Sequence, residues 1–161
     1  MESNTPKRFD YKKALSRAQT LCSRQEKSPG DLRTKLQSWG AEPSEISKII
    51  ESLTTDGFLN EERFARSYAN DKARFNRWGP VKIKMMLTAK GISPDVIKET
   101  LENLTDMFSN DSLQQLIAQK AKTIKHSTAS ELKMKLVRFM VSRGHNTSTA
   151  FKAVEQYLSS R

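Results

Sequence analysis

The residues of this 161-residue chain whose types and spacing could do chemistry are mostly basic. Arg63, Arg66, Asn70, Arg74 and Arg77 are spaced 3, 4, 4 and 3 apart, so on a helix they share one side and its end. A guanidinium fork makes two-point contacts with phosphate or carboxylate and tolerates leaving water better than an ammonium does. The row therefore suits a phosphate backbone or an acidic protein face, and its plain alternative is a solvated helix side. Lys82, Lys84 and Lys90 follow closely and tilt the balance toward binding. In a second basic segment, Lys135, Arg138 and Ser142 face away from Leu132, Leu136 and Met140. They suit phosphate contact, with a soluble face as the other reading. The candidate partner- or DNA-binding residues are thus Arg63, Arg66, Arg74, Arg77, Lys82, Lys84, Lys135 and Arg138.

Catalytic groups are scarce by comparison. His126 and His145 lie far apart beside loops, and neither has a metal-binding or acid-base partner at useful spacing. No glycine-rich phosphate loop or nucleophile elbow occurs. Cys22, the only cysteine, excludes an internal disulfide and a cysteine metal cluster, and it falls on the apolar side of its helix. The expectation is a protein that is not an enzyme and uses no cofactor or metal.

Charge narrows the choice of partner. The net charge is +10 and the isoelectric point about 9.8, which favours polyanions, nucleic acid first. It is unevenly placed: +2 over residues 1–60, +1 over 61–111 and +7 over 112–161. Within the middle block, Arg63 to Lys90 holds 8 basic residues against Asp71 alone, while 91–111 sets Lys98 against five acids. The polar first ten residues lack the apolar core of a signal peptide, and no apolar run is long enough for a membrane span. A cytoplasmic monomer with residues 1–10 flexible is expected.

The elements that must position these residues are helical and repeated. Gly40, Gly91 and Gly144 recur at periods of 51 and 53 residues. Eight and four residues before them stand Leu32 and Leu36, Ile83 and Leu87, Leu136 and Met140. Six, ten and thirteen residues after them come Ile46, Ile50 and Leu53, then Ile97, Leu101 and Leu104, then Ala150, Val154 and Tyr157. Pro43 and Pro94 open the third helix of the first two copies, with Thr147 in the last. Each copy has a leading helix: Tyr11 to Arg24, Glu61 to about Asn76, and about Ser112 to Lys125. No alternating apolar pattern calls for a strand. The fold class is all-α, three tandem three-helix repeats forming an elongated, curved array, with units 11–57, 58–107 and 108–161. Neighbouring units are expected to meet at Gly57 and Phe108.

The joint is Gly57-Phe58-Leu59-Asn60-Glu61-Glu62-Arg63-Phe64-Ala65, where a C′ glycine ends one unit and Asn60 caps the next helix. Phe64, Tyr68 and Phe75 are expected on the core side of that helix. Trp39 is expected to pack at a helix end, and Trp78 has two readings, core packing or stacking on a partner. Met134, Val137 and Val141 form a second apolar stripe, by default packed within the repeat.

This stretch resembles the signature of the RecX family, regulators of the bacterial recombinase RecA. Leu21-Cys22-Ser23-Arg24 with Ser28, Asp31-Leu32 and Lys35-Leu36 is similar to the family's opening repeat, and Gly79-Pro80-Val81-Lys82-Ile83 with Leu87 and Lys90-Gly91-Ile92 to its second. The third copy departs from it, with His145 after Gly144 and no proline. The resemblance implies a non-enzymatic negative regulator that binds the RecA–DNA filament and modulates its ATPase, strand-exchange and co-protease activities. Composition alone also fits an autonomous, sequence-nonspecific DNA-binding protein.

Overall fold

The computed structural model describes residues 8–161. Among these there are nine α-helices, one short 3-10 helix and no strand. In chain order they are α1 (Tyr11–Arg24), α2 (Pro29–Ser38), α3 (Pro43–Thr55), α4 (Glu61–Arg74), α5 (Pro80–Ala89), α6 (Pro94–Glu102), the 3-10 turn Thr105–Phe108, α7 (Asn110–Ala121), α8 (Ala129–Ser142) and α9 (Thr147–Ser159). None is long and apolar enough to cross a membrane. The call of a flexible N-terminus falls largely on residues 1–7, outside the described part. Of the rest, Asp10 caps α1 by accepting from the Lys13 amide at 3.1 Å, and Phe9 is half-buried against the first core.

The helix starts follow from local chemistry. Ser28 accepts from the Asp31 amide ahead of Pro29, and Asn60 accepts from the Arg63 amide at 2.9 Å with Glu61 and Glu62 in the positive first turn of α4. Ser93 makes no such cap with its side chain. Its amide instead donates to Glu61 at 2.8 Å, tying the start of α6 to the start of α4. Glycine ends the middle helices because Gly40, Gly91 and Gly144 sit at φ +90°, +82° and +96°, where a Cβ is disfavoured.

Three hydrophobic clusters result. Leu32 and Leu36 anchor the first, Ile83 and Leu87 the second, Leu136 and Met140 the third, all buried. Each fully buried aliphatic side chain contributes about 1.5–3 kcal/mol of burial. A further buried position recurs nine residues after the glycine: Ile49, Thr100 and Ala153. Apolar spacing hides it, since only one of the three is a large aliphatic; Thr100 satisfies its hydroxyl on the Val96 carbonyl at 2.7 Å. Ile46 and Ile50, expected in the core, are half-buried beside Ile49. Phe58 and Leu59 belong to the first cluster, because their amides both fold back onto the Leu53 carbonyl.

Backbone hydrogen bonds join the units through their middle helices, end on. The Gly30 amide at the start of α2 donates to the Lys90 carbonyl at the end of α5, at 2.8 Å. One unit along, the Gly79 and Val81 amides at the start of α5 donate to the Arg143 and Gly144 carbonyls after α8, at 2.7 and 2.9 Å. The unpaired N–H groups of one helix thus satisfy the unpaired C=O groups of the next, positive end to negative end. The approach is close enough that a Cβ built on Gly79 would lie 2.5 Å from the Gly144 oxygen. No hydrogen bond or ion pair among the described residues links the first unit to the third, as an array requires.

Candidate partner-binding surface

The structure distributes the eight candidate basic residues over several places. Arg63 spans the first junction: its Nε contacts Glu26 Oε1 at 2.9 Å and its Nη2 donates to the Gly57 carbonyl at 3.0 Å. Arg77 spans the second, donating from Nη2 to the Ser112 carbonyl and hydroxyl at 3.0 and 3.3 Å. These two hold neighbouring units together. Arg66 and Arg74 stay exposed on the α4 side that meets α6. Arg66 lies beside Glu62, Asn70 and Glu99. Among the described residues, the Arg74 side chain hydrogen-bonds to Asn70 at 3.4 Å and to the Met107 sulfur at 3.6 Å.

Lys84 is exposed on the rim of an apolar groove of about 830 Å³ between α5 and α6, opposite Lys98. Lys135 is occupied within its own unit, with Nζ 2.9 Å from Glu131 and 2.7 Å from the Lys125 carbonyl. The Ser127 amide first, and then the Lys135 ammonium, hold Glu131 below its ordinary carboxylate range. Arg138 is exposed and has no hydrogen bond or ion pair among the described residues. The apolar stripe beside it divides: Val137 is buried in the third cluster, whereas Met134 and Val141 are about two-fifths exposed.

Lys82 belongs to a different arrangement, on the side of α4 facing α5. Phe64 and Tyr68 stack with centroids 5.5 Å apart, and Trp78 meets Tyr68 edge-on at 6.4 Å. Both readings of Trp78 have support: it packs against the second core while remaining half-exposed. Lysine ammonium groups surround these rings. Lys72 lies 5.5 Å from the Tyr68 centroid and 4.9 Å from Trp78, Lys82 lies 4.5 Å from Trp78, and Lys90 lies 5.6 Å from Tyr68. Aromatic faces attract cations. Among the described residues, the one carboxylate paired with them is Asp31, 3.1 Å from Lys90 across the first junction. Asp31 is desolvated, but the Ser28 hydroxyl and Lys90 outweigh this and lower its pKa. Burial, opposed by Lys90, raises that of Tyr68.

Lys72 and Lys90 were not among the sequence candidates. The legible signal was Lys72 four residues after Tyr68, one turn along the same helix side. Phe75 corrects an expectation: instead of facing the core it is 83% exposed. α4 ends at Arg74, and the chain turns so that the Trp78 amide reaches the Lys72 carbonyl at 3.0 Å, bringing Trp78 to the core edge in its place.

The second junction also buries His145, which is 5% exposed, edge-on to Phe108 at 6.5 Å and without a hydrogen-bond partner at Nε2. Burial first, then nearby Arg77, pushes its pKa down to about 4. Cys22 is half-buried, with its thiol pKa raised by desolvation. Among the described residues, no three His, Cys, Asp or Glu side chains converge on a point that could hold a metal ion.

Residues 60–101 match the family model described as RecX, second three-helix domain. The chain is 31% identical over 142 residues to the regulatory protein RecX of Clostridium perfringens strain 13, covering 87% of this chain and 66% of that protein. It is 36% identical over 96 residues to the same-named protein of Bacillus velezensis, covering 60% of this chain and 36% of the other. The chain thus spans about two thirds, or less, of these relatives' length. The crystal structure of RecX from Lactobacillus salivarius superposes with a TM-score of 0.77 at 22% identity, over 91% of this chain and 96% of that one. A second structure, of a regulatory protein RecX, gives 0.79 at 19% identity over 91% and 71%. These two share the fold, and together with the sequence matches they establish that the chain belongs to the RecX family of regulatory proteins.

Proposed function

We propose that this protein is a non-enzymatic negative regulator of RecA, binding the RecA–DNA filament and restraining its ATPase, strand-exchange and co-protease activities. The observation that carries the reading is a RecX-family array with basic groups displayed on separate units. Arg66 and Arg74, Lys82 and Lys84, and Lys135 and Arg138 supply the contacts, while Arg63 and Arg77 set the angles between units. Taken as 11–57, 58–107 and 108–161, the units act as linked modules. Several weak contacts on one scaffold gain effective concentration once the first has formed. Regulation requires unequal affinity for two filament states, since equal binding shifts no equilibrium. The protein works as a monomer in the cytoplasm.

Co-sedimentation at physiological salt tests the reading. The protein should pellet with RecA on single-stranded DNA more than with bare DNA, and should suppress DNA-stimulated ATP hydrolysis by RecA without hydrolysing ATP or DNA itself. Equal retention on both would favour an autonomous DNA-binding protein. Nucleotide turnover abolished by a point change in this chain would overturn the non-enzyme assignment.

A further inference from the structure

The corner between α4 and α5 combines one exposed ring with unusual rigidity. Phe75 is the most exposed of the large apolar side chains, at 83%. Burying such a ring is favourable, but a single exposed apolar side chain is common on protein surfaces, so its setting decides what it can do. The backbone presenting it is fixed from several directions. Arg77 sits at φ +57°, a conformation uncommon for a residue with a Cβ. Its guanidinium is tied to Ser112, Arg143 donates to the Asn76 carbonyl at 3.0 Å, and the Gly79 amide donates to the Arg143 carbonyl at 2.7 Å. Strain and cross-bracing at one corner hold a side chain that packs on nothing in its own core.

What surrounds the ring indicates the ligand. Phe75 follows the last residue of α4, three residues beyond Lys72 and three before Trp78, within the turn that joins α4 to α5. That turn is closed by the Trp78 amide on the Lys72 carbonyl at 3.0 Å, and the ammonium groups of Lys72 and Lys82 rest on the Trp78 ring. From Arg63 to Lys90 the only acid is Asp71, so the field around the corner is positive. An acidic rim around an apolar pocket on a protein would also answer the charge. A flat exposed ring in a turn flanked by ammonium groups fits better a polymer that alternates flat bases with phosphates. A duplex buries its base faces, whereas a single strand offers them.

We propose that Phe75 is a stacking platform for a base of single-stranded nucleic acid, with Lys72 and Lys82 on the adjacent phosphates. The assignment deepens the regulatory reading by naming the nucleic-acid class. It does not need RecA for its test, so the two can fail separately.

The experiment is fluorescence anisotropy of labelled oligodeoxythymidine and of a duplex of equal length, using the whole chain. Wild type should prefer the single strand. Phe75→Ala should weaken single-strand binding by about 5- to 150-fold, the range set by loss of one base stack, with circular dichroism and melting unchanged. Phe75→Trp should retain affinity, and its added tryptophan emission should be quenched on binding, which a purely structural role would not produce. Lys72→Ala with Lys82→Ala should flatten the log–log salt dependence by about 1.4. Unchanged single-strand affinity in a folded Phe75→Ala protein overturns the proposal. So does weakened retention on RecA filaments with intact oligonucleotide binding, which would make Phe75 a protein anchor. A wild-type preference for the duplex overturns it as well.

Discussion

Acidification should open the second junction, and His145 sets the size of the effect. The ring is buried between the second and third units, its Nε2 has no partner, and Arg77 adds repulsion to any charge placed there. Its pKa falls from 6.5 to about 4. A lowered folded pKa means that the unfolded chain binds a proton which the folded protein refuses. Stability is therefore fully present above pH 6.5 and declines as pH falls toward 4. Between pH 7.5 and 4.5, linkage with those two values gives a loss of about 2.5 kcal/mol. For a chain of this length that is a fall in Tm of roughly 5–10 °C. Thermal unfolding followed by circular dichroism should be compared for wild type and His145→Leu, which keeps the junction filled but cannot titrate. Carboxylates such as Asp31 contribute equally to both proteins, so the difference between the curves isolates the histidine. If the two proteins lose stability in parallel, within about 0.5 kcal/mol, the reasoning is refuted, because neighbouring groups or water must then accommodate the charge.

The glycines and the arginines each give a further contrast. Gly40→Ala should cost only the strain of its positive φ, about 1–2 kcal/mol, because a Cβ there meets nothing within 4 Å. Gly144→Ala should cost more than about 3 kcal/mol, since its Cβ would fall 2.2 Å from the Cβ of Lys82 and part the junction's hydrogen bonds; urea denaturation measures both. Among the arginines, Arg77→Ala should destabilise by about 1–2 kcal/mol, while Arg66→Ala and Arg74→Ala should remain within about 0.5 kcal/mol of wild type by the same measurement.

Helix positions were legible because they depend on local rules. The proline, glycine and capping residues that start and end α2, α3 and α5 act within a turn of themselves, and the glycine period needs only counting. The 3-10 turn Thr105–Phe108 left no comparable mark. The fate of each arginine was not legible, because it is decided by groups 35 or more residues away: Glu26 for Arg63, Ser112 for Arg77. A helical wheel orders side chains around an axis but does not say which neighbour each side meets. Phe75 was misplaced for a related reason. The wheel continues a helix that, at Arg74, has ended, so a residue on the apolar side can still point outward. The lysine fence needed the aromatic rings of α4 and the side chains of α5 to be set together, which is tertiary information.

The end-on junction also gives the molecule a direction. In each joint, the starting end of a middle helix acts as a plug and the glycine end of the next as a socket. The socket at Gly40 has the same backbone conformation as those at Gly91 and Gly144, with open space above it. Among the described residues α8 offers no matching plug: it begins with Ala129 instead of proline and is four residues longer than α5, so an extra turn precedes the position that would insert. α8 therefore lacks the start that would enter the Gly40 socket of a second copy as α2 and α5 enter theirs. Unclosed head-to-tail contacts of that kind would generate open polymers. One additional helical turn on α8 thus sets the third unit apart from the other two at the position where the joint is made.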